Sequence, residues 1–191
     1  MKQEWVEILT EEASMKNALE ILLPSLLPDG YELNVNCFVR PHQGKSDLLK
    51  SLRRKVKAYP NFPLPVKLIV LHDQDSNDCI ALKNRINGII DEVNPGQPRL
   101  IRIACHELEN WYLGDPDAIE QVYPTFKADR FRNRTIFRIP DRVVGSNELK
   151  RLIPDFAKTE ASRIIPVHMN TTSNRSVSFG HFVSGVKRFL G

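Results

Sequence analysis

The most constraining feature of the sequence is an apolar, β-branched stretch that ends abruptly in carboxylates. It runs from Val66 to Leu71, follows a proline-rich segment, and leads into the acidic stretch His72-Asp73-Gln74-Asp75-Ser76-Asn77-Asp78. A continuous apolar run of this length, bounded by turn-forming residues, is typical of a strand buried on both faces. The sequence therefore predicts a central strand that leads into an acidic loop.

Two acids of this loop are spaced so that both can bind the same cation. Asp73 and Asp75 are two residues apart, so in extended backbone their side chains project to one side, where they can share a hard cation. Asp78 is predicted to cap the next helix. The alternative is that these residues only stabilise a turn, because Asp, Asn and Ser side chains hydrogen-bond to nearby backbone.

The order of the predicted elements indicates the fold class. Strands are predicted at 5–10, 31–39, 66–71 and 100–105, and amphipathic helices at 15–26, 46–56 and 77–93. This alternation predicts an α/β protein with a three-layer, Rossmann-like, mainly parallel sheet and helices on both faces. The predicted organisation is a core over residues 1–123 and a helical, basic C-terminal extension over residues 124–191 that packs on the core.

Acids follow three of the four predicted strands. Glu11 follows the first, Asp73 and Asp75 follow the third, and Glu107 and Glu109 follow the fourth. In parallel sheets ligands collect at the carboxyl ends of the strands, and a divalent cation is the usual reason for gathering acids there. Ligands that are all oxygens favour Mg²⁺ or Mn²⁺ over zinc.

Structural alternatives exist for each of these residues. Glu11 can simply favour a helix N-terminus. On a helix Glu107 and Glu109 face different ways, so one of them is expected to face solvent or to pair with an arginine. His72 and His106 stand beside the acids, and we expect structural roles for them rather than proton relay.

Charge is distributed unevenly along the chain. Residues 1–123 carry 14 Lys and Arg against 18 Asp and Glu, a net charge of −4, whereas residues 124–191 carry 13 against 5, a net charge of +8. An acidic centre beside a basic surface suits a metal site that acts on a polyanion. The alternative is a mildly basic domain without a polyanionic partner. The second helix also has a basic face, which is predicted to be solvated or to contact phosphate.

Residues 124–138 interleave aromatic and basic side chains. This composition suits a surface that follows a phosphate backbone and stacks bases on its rings. The predicted nucleic-acid-binding residues are Lys127, Arg130, Arg132, Arg134 and Arg138. The alternative is a surface loop whose phenylalanines anchor it to the core. Short helices are predicted to begin at Ser146, at residue 159 and, capped by Ser178, at residue 179.

The three cysteines have no metal-ligand spacing, and their odd number argues against a disulfide framework. The first residues contain no apolar leader, and no run is long enough to span a bilayer. We therefore expect a cytoplasmic protein that has no membrane partner.

Several stretches resemble a known group of enzymes. The first strand with Glu11, the leucine-rich end of the next helix, and the strand with Asp73-Gln74-Asp75 resemble the Toprim catalytic core of topoisomerases, primases and overcoming-lysogenization-defect nucleases. Three later stretches resemble an uncharacterised bacterial family of Toprim-like proteins, domain of unknown function 4276. They are His106-Glu107-Leu108-Glu109-Asn110-Trp111-Tyr112-Leu113-Gly114-Asp115-Pro116, Phe156-Ala157-Lys158 and Ser176-Val177-Ser178-Phe179.

The resemblance, which covers nearly the whole chain, implies a Toprim version of the fold and a Mg²⁺- or Mn²⁺-dependent nuclease that hydrolyses phosphodiester bonds in DNA or RNA. Such proteins are often encoded beside an ABC-type or AAA-type ATPase in phage-defence gene clusters. The implied metal ligands are Glu11, Asp73, Asp75 and Glu107. The implied catalytic residues are Glu11, Asp73, Asp75, Glu109 and Lys158, with Lys158 stabilising charge on the phosphate.

The chain departs from the Toprim pattern at two positions. Glu12 stands where a glycine is usual, and Met15 stands where related nucleases often have a second acid. These departures keep open a non-catalytic alternative, in which the acidic edge binds metal and nucleic acid or an ATPase subunit without cleavage. A nucleotide-binding or small-molecule phosphatase domain is a third possibility, although the chain lacks the GxGxxG and GxxxxGK[ST] phosphate loops.

Overall fold

The computed structural model describes residues 1–191 and contains a single four-stranded sheet. The strands are β1 (Trp5–Thr10), β2 (Cys37–Pro41), β3 (Val66–Asp73) and β4 (Arg99–Ala104). They lie in the order β2-β1-β3-β4, and every neighbouring pair is parallel. The predicted α/β, three-layer, Rossmann-like fold is confirmed.

The apolar run of β3 is explained by its position between β1 and β4. The residues from Leu68 to Leu71 are fully buried, as expected where helices cover both faces of a parallel sheet. The register pairs Thr10 with Leu71 and Asp73 with Ala104. The carboxyl ends of β1, β3 and β4 are therefore nearly level, and the loops that follow them meet at one edge of the sheet.

Ten α-helices accompany the sheet. They are α1 (Ala13–Leu22), α2 (Lys45–Ala58), α3 (Cys79–Asp91), α4 (Glu109–Leu113), α5 (Pro116–Val122), α6 (Ala128–Phe131), α7 (Thr135–Arg138), α8 (Gly145–Leu152), α9 (Lys158–His168) and α10 (Val177–Leu190). Short 3₁₀ turns occur at Leu23–Ser25, Tyr59–Asn61 and Pro140–Arg142. None of the helices is long and apolar enough to cross a membrane.

The two faces of the sheet contribute to two hydrophobic cores. Leu68 and Val70 pack with α2 and α3 in a core of 13 residues. Ile69 and Leu71 belong to a core of 34 residues that also includes α1, α9 and α10. The helices that follow residue 123 therefore complete the third layer and share a core with the strands.

The second strand differs from the sequence-based prediction of residues 31–39, which is wrong at its start because β2 begins at Cys37. Local turns precede it. Asn34 has a left-handed backbone with φ 63°, and the Asn36 side chain accepts from the Glu32 N–H and donates to the Gly30 carbonyl. Such Asn-to-backbone bonds compete with a strand ladder.

The helix ends show which cap predictions were correct. Asp78 caps α3, as predicted, by accepting from the Ala81 N–H. Ser178 was predicted to cap the last helix, but the cap is Ser176, whose hydroxyl accepts from the Phe179 N–H. The Ser178 hydroxyl instead accepts from the indole N–H of the fully buried Trp111 at 3.0 Å.

Candidate functional site

Five carboxylates lie at the carboxyl end of the sheet, and we refer to them together as the acidic edge. They are Glu11, Asp73, Asp75, Glu107 and Glu109. Glu11 follows β1, the aspartates end or follow β3, and the last two glutamates follow β4. The adjacency of these strands in the sheet explains why acids that are far apart in sequence meet.

Glu11 is buried and faces β3. Its Oε2 accepts from the backbone N–H of Asp73 at 3.3 Å and lies 3.0 Å from Nδ1 of His72. The same His72 nitrogen lies 2.6 Å from the carbonyl oxygen of Asp73. These contacts attach the first acid to the strand of the second, so Glu11 does more than favour the N-terminus of α1.

Asp73 is the central acid of the edge. Its Oδ1 is buried and has no hydrogen-bond partner. Burial raises the pKa of Asp73 well above its usual value, and the negative charges of Glu109, Glu11 and Asp75 raise it further. A buried carboxylate oxygen without a partner is costly unless it is protonated or near a cation. Asp73 is therefore the acid that a bound cation would stabilise most.

Asp75 lies closer to solvent, with its side chain 48% exposed. Its backbone is left-handed, with φ 49°, so the extended geometry assumed from the Asp73-Gln74-Asp75 spacing ends before it. Lys45, the first residue of α2, forms an ion pair with its carboxylate. Asp75 nevertheless remains close enough to Asp73 for its charge to affect the pKa of that residue.

The two acidic loops are joined by hydrogen bonds. The Gln74 N–H donates to the Ala104 carbonyl at 2.9 Å, and the Asp75 N–H donates to the His106 carbonyl at 2.7 Å. The His106 N–H donates to Oε1 of Gln74 at 3.1 Å. Left-handed backbone at Asp75 and at His106, where φ is 54°, costs about 1 kcal/mol each. These bonds offset that cost and hold the loops in register.

Glu107 and Glu109 are both buried and both reach Lys158, the first residue of α9. The Lys158 ammonium donates to Oε2 of Glu107 at 2.6 Å and lies 3.4 Å from Oε2 of Glu109. The expectation that one glutamate faces solvent or pairs with an arginine is wrong. Glu107 precedes α4, which begins at Glu109, so helical periodicity does not separate the two side chains.

The pKa of Glu107 is lowered, whereas those of Glu109 and Lys158 are raised. Burial raises the pKa of Glu109 to about 7, with Glu107 adding to the rise and Lys158 opposing it. Burial also acts on Glu107, but hydrogen bonds from Lys158 and from Ser146 bring its pKa below the usual value. Burial lowers the pKa of Lys158, yet the neighbouring acids raise it overall. Lys158 and Glu107 are thus charged at neutral pH, while Glu109 can exchange a proton there.

The loop before α8 holds Glu107 in place. The Ser146 N–H donates to Oε1 of Glu107 at 2.7 Å. Asn110 fixes that loop, because its Nδ2 donates to the carbonyls of Pro140 and Val143 at 2.6 and 2.7 Å. A Cβ on Gly145 would lie only 2.7 Å from the Asn110 backbone nitrogen. The close approach of the loop to α4 therefore requires glycine at this position.

Three residues of the site were not assigned to it from the sequence. Tyr112 is fully buried, its hydroxyl has no hydrogen-bond partner, and Glu109 and Asp73 both add to the rise in its pKa caused by burial. Tyr112 follows Glu109 by three residues on a helix, and residues with this spacing are neighbours. The sequence could therefore have placed Tyr112 next to Glu109. Lys45 and Ser146 carry no comparable signal, because tertiary packing alone brings them to the acids.

In the predicted nucleic-acid-binding segment, residues 124–138, the aromatic side chains pack against one another rather than facing solvent. Phe126 and Phe137 are buried and pack with Phe131, whose ring stacks on Phe126 at 4.9 Å between centroids. Phe126 and Phe137 belong to the core of 34 residues, and Phe131 packs against it. The phenylalanines thus anchor the segment to the core, as the alternative prediction expected, although the segment forms α6 and α7 rather than a loop. Nucleic-acid binding by its basic residues stays a prediction.

The basic residues of this segment contact local groups. Arg132 forms a bidentate pair with Asp117 at 2.9 and 2.6 Å, and Lys127 lies 3.2 Å from Glu120. The guanidinium groups of Arg130 and Arg134 lie over the Phe131 ring, and Arg138 is exposed. None of the five forms an ion pair with the acidic edge.

The acidic edge does not form a closed metal cage. No three His, Cys, Asp or Glu side chains are arranged to hold a metal ion. Lys45 and Lys158 form ion pairs with three of the carboxylates. The unpartnered Asp73 oxygen and the carboxylate of Glu11 do provide the oxygen donors that Mg²⁺ and Mn²⁺ prefer. A cavity of about 410 Å³ opens at the acidic edge and is lined by Asp75, Ser76, His106, Glu107 and Val144. The donor chemistry at Asp73 therefore fits a hard cation.

Comparison with known proteins gives one match. A protein family described as Domain of unknown function (DUF4276) matches residues 10–187. That range includes every residue of the acidic edge and Lys158. No curated protein and no solved structure matches the chain.

Proposed function

This chain belongs to the DUF4276 family of domains of unknown function, and from the geometry of its acidic edge we propose that it hydrolyses phosphodiester bonds in nucleic acid with Mg²⁺ or Mn²⁺. The observation that carries the proposal is the buried, unpartnered carboxylate oxygen of Asp73, surrounded by the charges of Glu109, Glu11 and Asp75. Such an arrangement is costly for the protein alone and favourable once a cation is present.

In this proposal Asp73 and Glu11 would hold the cation, with Asp75 as a further oxygen ligand. When bound, the cation would lower the pKa of a water molecule and neutralise charge on the phosphate. Glu107 was predicted to be a further ligand. Both of its oxygens are already hydrogen-bonded, to Ser146 and to Lys158, so we assign Glu107 to positioning the lysine.

The remaining groups have roles in proton transfer and charge stabilisation. Glu109, with a pKa of about 7, is suited to accept a proton from the attacking water at neutral pH. Lys158 stays protonated among Glu109, Glu107 and Asp73 and provides a fixed positive charge for the oxyanion that develops on the phosphate. Tyr112 lines the buried side of these groups and excludes water there.

The placement of the acids supports a Toprim-like relationship as part of this proposal. Glu11 follows β1, and Asp73 and Asp75 end and follow the adjacent β3 in an all-parallel sheet, which agrees with the resemblance of these stretches to the Toprim core. That resemblance also supports a role in phage defence together with an ABC-type or AAA-type ATPase. Co-expression with a neighbouring ATPase gene should protect cells from phage, and Asp73→Asn should abolish the protection.

One observation favours a second candidate function. Met15 occupies the position of the second acid in related nucleases, and it is fully buried in the larger hydrophobic core. The chain therefore has no carboxylate at that position for a second metal. The alternative is a non-catalytic subunit whose acidic edge binds a metal, nucleic acid or the ATPase without cleavage.

A cleavage assay separates the two candidates. Purified protein is incubated with supercoiled DNA, single-stranded DNA and RNA in Mg²⁺, in Mn²⁺ or in chelator. We expect cleavage that requires metal and falls at least about 100-fold in Asp73→Asn, the size expected when a group essential to a catalytic metal site is lost. Asp129→Asn is the matched control, because Asp129 is 97% exposed on α6.

Each result of this assay has a defined meaning. Cleavage that survives both Asp73→Asn and Glu11→Gln would exclude the acidic edge as its source. Binding of Mg²⁺ that depends on Asp73, without cleavage of any substrate, would support the non-catalytic subunit.

A further inference from the structure

A second charged surface lies between α2 and α3, on the side of the smaller hydrophobic core. It is a groove of about 800 Å³, which we call the basic groove. Its charged lining residues are Lys45, Lys50, Arg53, Arg54 and Arg85, with Asp47 as the only acid. Five cations therefore face one carboxylate.

The helical pattern explains how α2 presents these cations. Leu48, Leu52 and Val56 are buried against the sheet, so the intervening residues Lys50, Arg53 and Arg54 project outward as a stripe. A charged outer face is ordinary for an amphipathic helix. The unusual feature is that Arg85, from α3, adds its charge to the same groove.

Few of these cations are neutralised within the protein. Arg53 pairs with Glu92, and Lys45 pairs with Asp75. The Asp47 carboxylate accepts from the backbone N–H of Gln43. Lys50, Arg54 and Arg85 form no ion pair, so the groove keeps an uncompensated positive charge. In the 124–138 segment, Arg132 and Lys127 have carboxylate partners, and Arg130 and Arg134 lie over the ring of Phe131. Arg138 forms no ion pair, so the segment leaves fewer of its cations without a local partner than the groove does.

The groove ends at the acidic edge. Lys45 lines the groove and also pairs with Asp75, so the two surfaces share a boundary. From Lys45 to Arg54 the helix extends about 14 Å at 1.5 Å per residue. Measured along the axis of a nucleic-acid duplex, that length spans about four phosphates of one strand.

We propose that the basic groove binds the phosphate backbone of nucleic acid and directs it toward the acidic edge at the Lys45–Asp75 pair. The directing role depends on the function proposed for that edge, whereas backbone binding by the groove does not. The occupant is nucleic acid rather than an acidic protein, because only Leu49 and Ile89 among the lining residues are apolar. Protein interfaces have an apolar centre, while nucleic-acid interfaces are polar and positively charged.

The test measures binding in chelator, where no metal-dependent cleavage occurs. Fluorescence anisotropy is recorded for labelled single-stranded and duplex oligonucleotides across a series of salt concentrations. The groove variant is Lys50→Ala with Arg54→Ala and Arg85→Ala. We expect at least about 10-fold weaker binding and a salt slope reduced by about 2 to 3, as for the loss of three phosphate contacts.

Two control variants make the result specific. Arg130→Ala with Arg134→Ala and Arg138→Ala removes the same charge from the 124–138 segment and should keep the affinity within about twofold of the wild type. Lys50→Arg with Arg54→Lys and Arg85→Lys keeps the charge of the groove and should also stay within about twofold, because phosphate contacts depend mainly on charge. All these side chains are exposed, and thermal melts verify that each variant is folded.

The proposal would be overturned if the groove variant bound the oligonucleotide as tightly as the wild type does. It would also be overturned if the control variant from the 124–138 segment weakened binding equally. A third contrary outcome is that polyglutamate of matched charge binds the groove as tightly as the oligonucleotide. The last outcome would identify an acidic protein as the occupant. Asp73→Asn separates the two proposals, since it should abolish cleavage while leaving binding in chelator unchanged.

Discussion

The acidic edge and the 124–138 segment are both rich in charge, and the structure organises them in opposite ways. At the edge, carboxylates from separate parts of the chain meet, and one buried oxygen of Asp73 has no partner. In the segment, Arg132 bonds to Asp117 and the phenylalanines pack on one another. The paired charges of the segment stabilise the local fold, whereas a buried carboxylate oxygen without a partner suits a bound cation.

Two lysines make the acidic edge tolerable without a ligand. Lys158 contacts Glu107 and Glu109, and Lys45 contacts Asp75. Asp73 forms no ion pair, and burial, together with the charges of Glu109, Glu11 and Asp75, raises its pKa. The comparison between the two regions therefore predicts that charge-removing substitutions have larger effects at the edge.

The largest expected effect is on stability. Lys158→Met leaves two buried carboxylates without their cation and should lower the free energy of unfolding by about 2 to 3 kcal/mol, a value below that of a fully buried pair because the lysine is 39% exposed. Urea unfolding at pH 7 measures it. Lys127→Met is the matched control, since that lysine is 61% exposed with one partner, and it should cost at most about 0.5 kcal/mol.

Adding Glu107→Gln and Glu109→Gln to Lys158→Met should recover most of the loss, because no unpaired buried charge then remains. Equal losses in Lys158→Met and Lys127→Met would remove the energetic distinction between the two regions.

The second prediction concerns pH. The pKa of Glu109 is raised from 4.5 to about 7, so the folded state favours the neutral carboxyl. The stability that this preference provides is complete below pH 4.5 and is lost as the pH rises through 7. Between pH 5 and pH 8 the wild type should lose about 2 kcal/mol more than Glu109→Gln.

Urea unfolding at several pH values provides the measurement. Glu120→Gln, next to the 124–138 segment, is the control. The pKa of Glu120 is lowered by hydrogen bonds from the Ala128 N–H and Lys127, so this carboxylate stays ionised from pH 5 to pH 8 and its removal should leave the slope unchanged. A Glu109→Gln profile parallel to that of the wild type would contradict the prediction.

The third prediction concerns the cation. Mg²⁺ at about ten times its dissociation constant should raise the free energy of unfolding by about 1.4 kcal/mol, which corresponds to a melting temperature about 3 to 5 °C higher for a domain of this size. Differential scanning fluorimetry detects the shift. Asp73→Asn should abolish it and Asp129→Asn should preserve it. A shift that persists in Asp73→Asn would place the cation elsewhere.

The smallest effect is expected in the segment. Arg132→Ala removes a pair whose arginine is about one-third exposed, so it should cost about 0.5 to 1 kcal/mol of stability. Because Arg132 already has carboxylate partners, its removal should change the affinity for an oligonucleotide by less than about twofold. A tenfold loss in anisotropy titrations would contradict this expectation and would support the segment as a nucleic-acid-binding surface.

The central strand was predictable because its cause is local. An unbroken apolar run that ends in Asp and Asn satisfies the requirements of a strand covered on both faces, and β3 (Val66–Asp73) has that form. The cap at Asp78 was predictable for the same reason, since its partner, the Ala81 N–H, is three residues away. The second strand was placed too early because the turns made by Asn34 and Asn36 interrupt an otherwise strand-like stretch.

The sequence by itself determined the parallel α/β order and the arrival of acids at the ends of three strands, because both follow from the period and order of apolar residues. Only the tertiary structure decided which charges are neutralised. Lys158 meets Glu107 across 51 residues, Lys45 meets Asp75 from another helix, and the phenylalanines of residues 124–138 turn inward. Such pairings depend on strand register and layer packing, which no short stretch of sequence encodes.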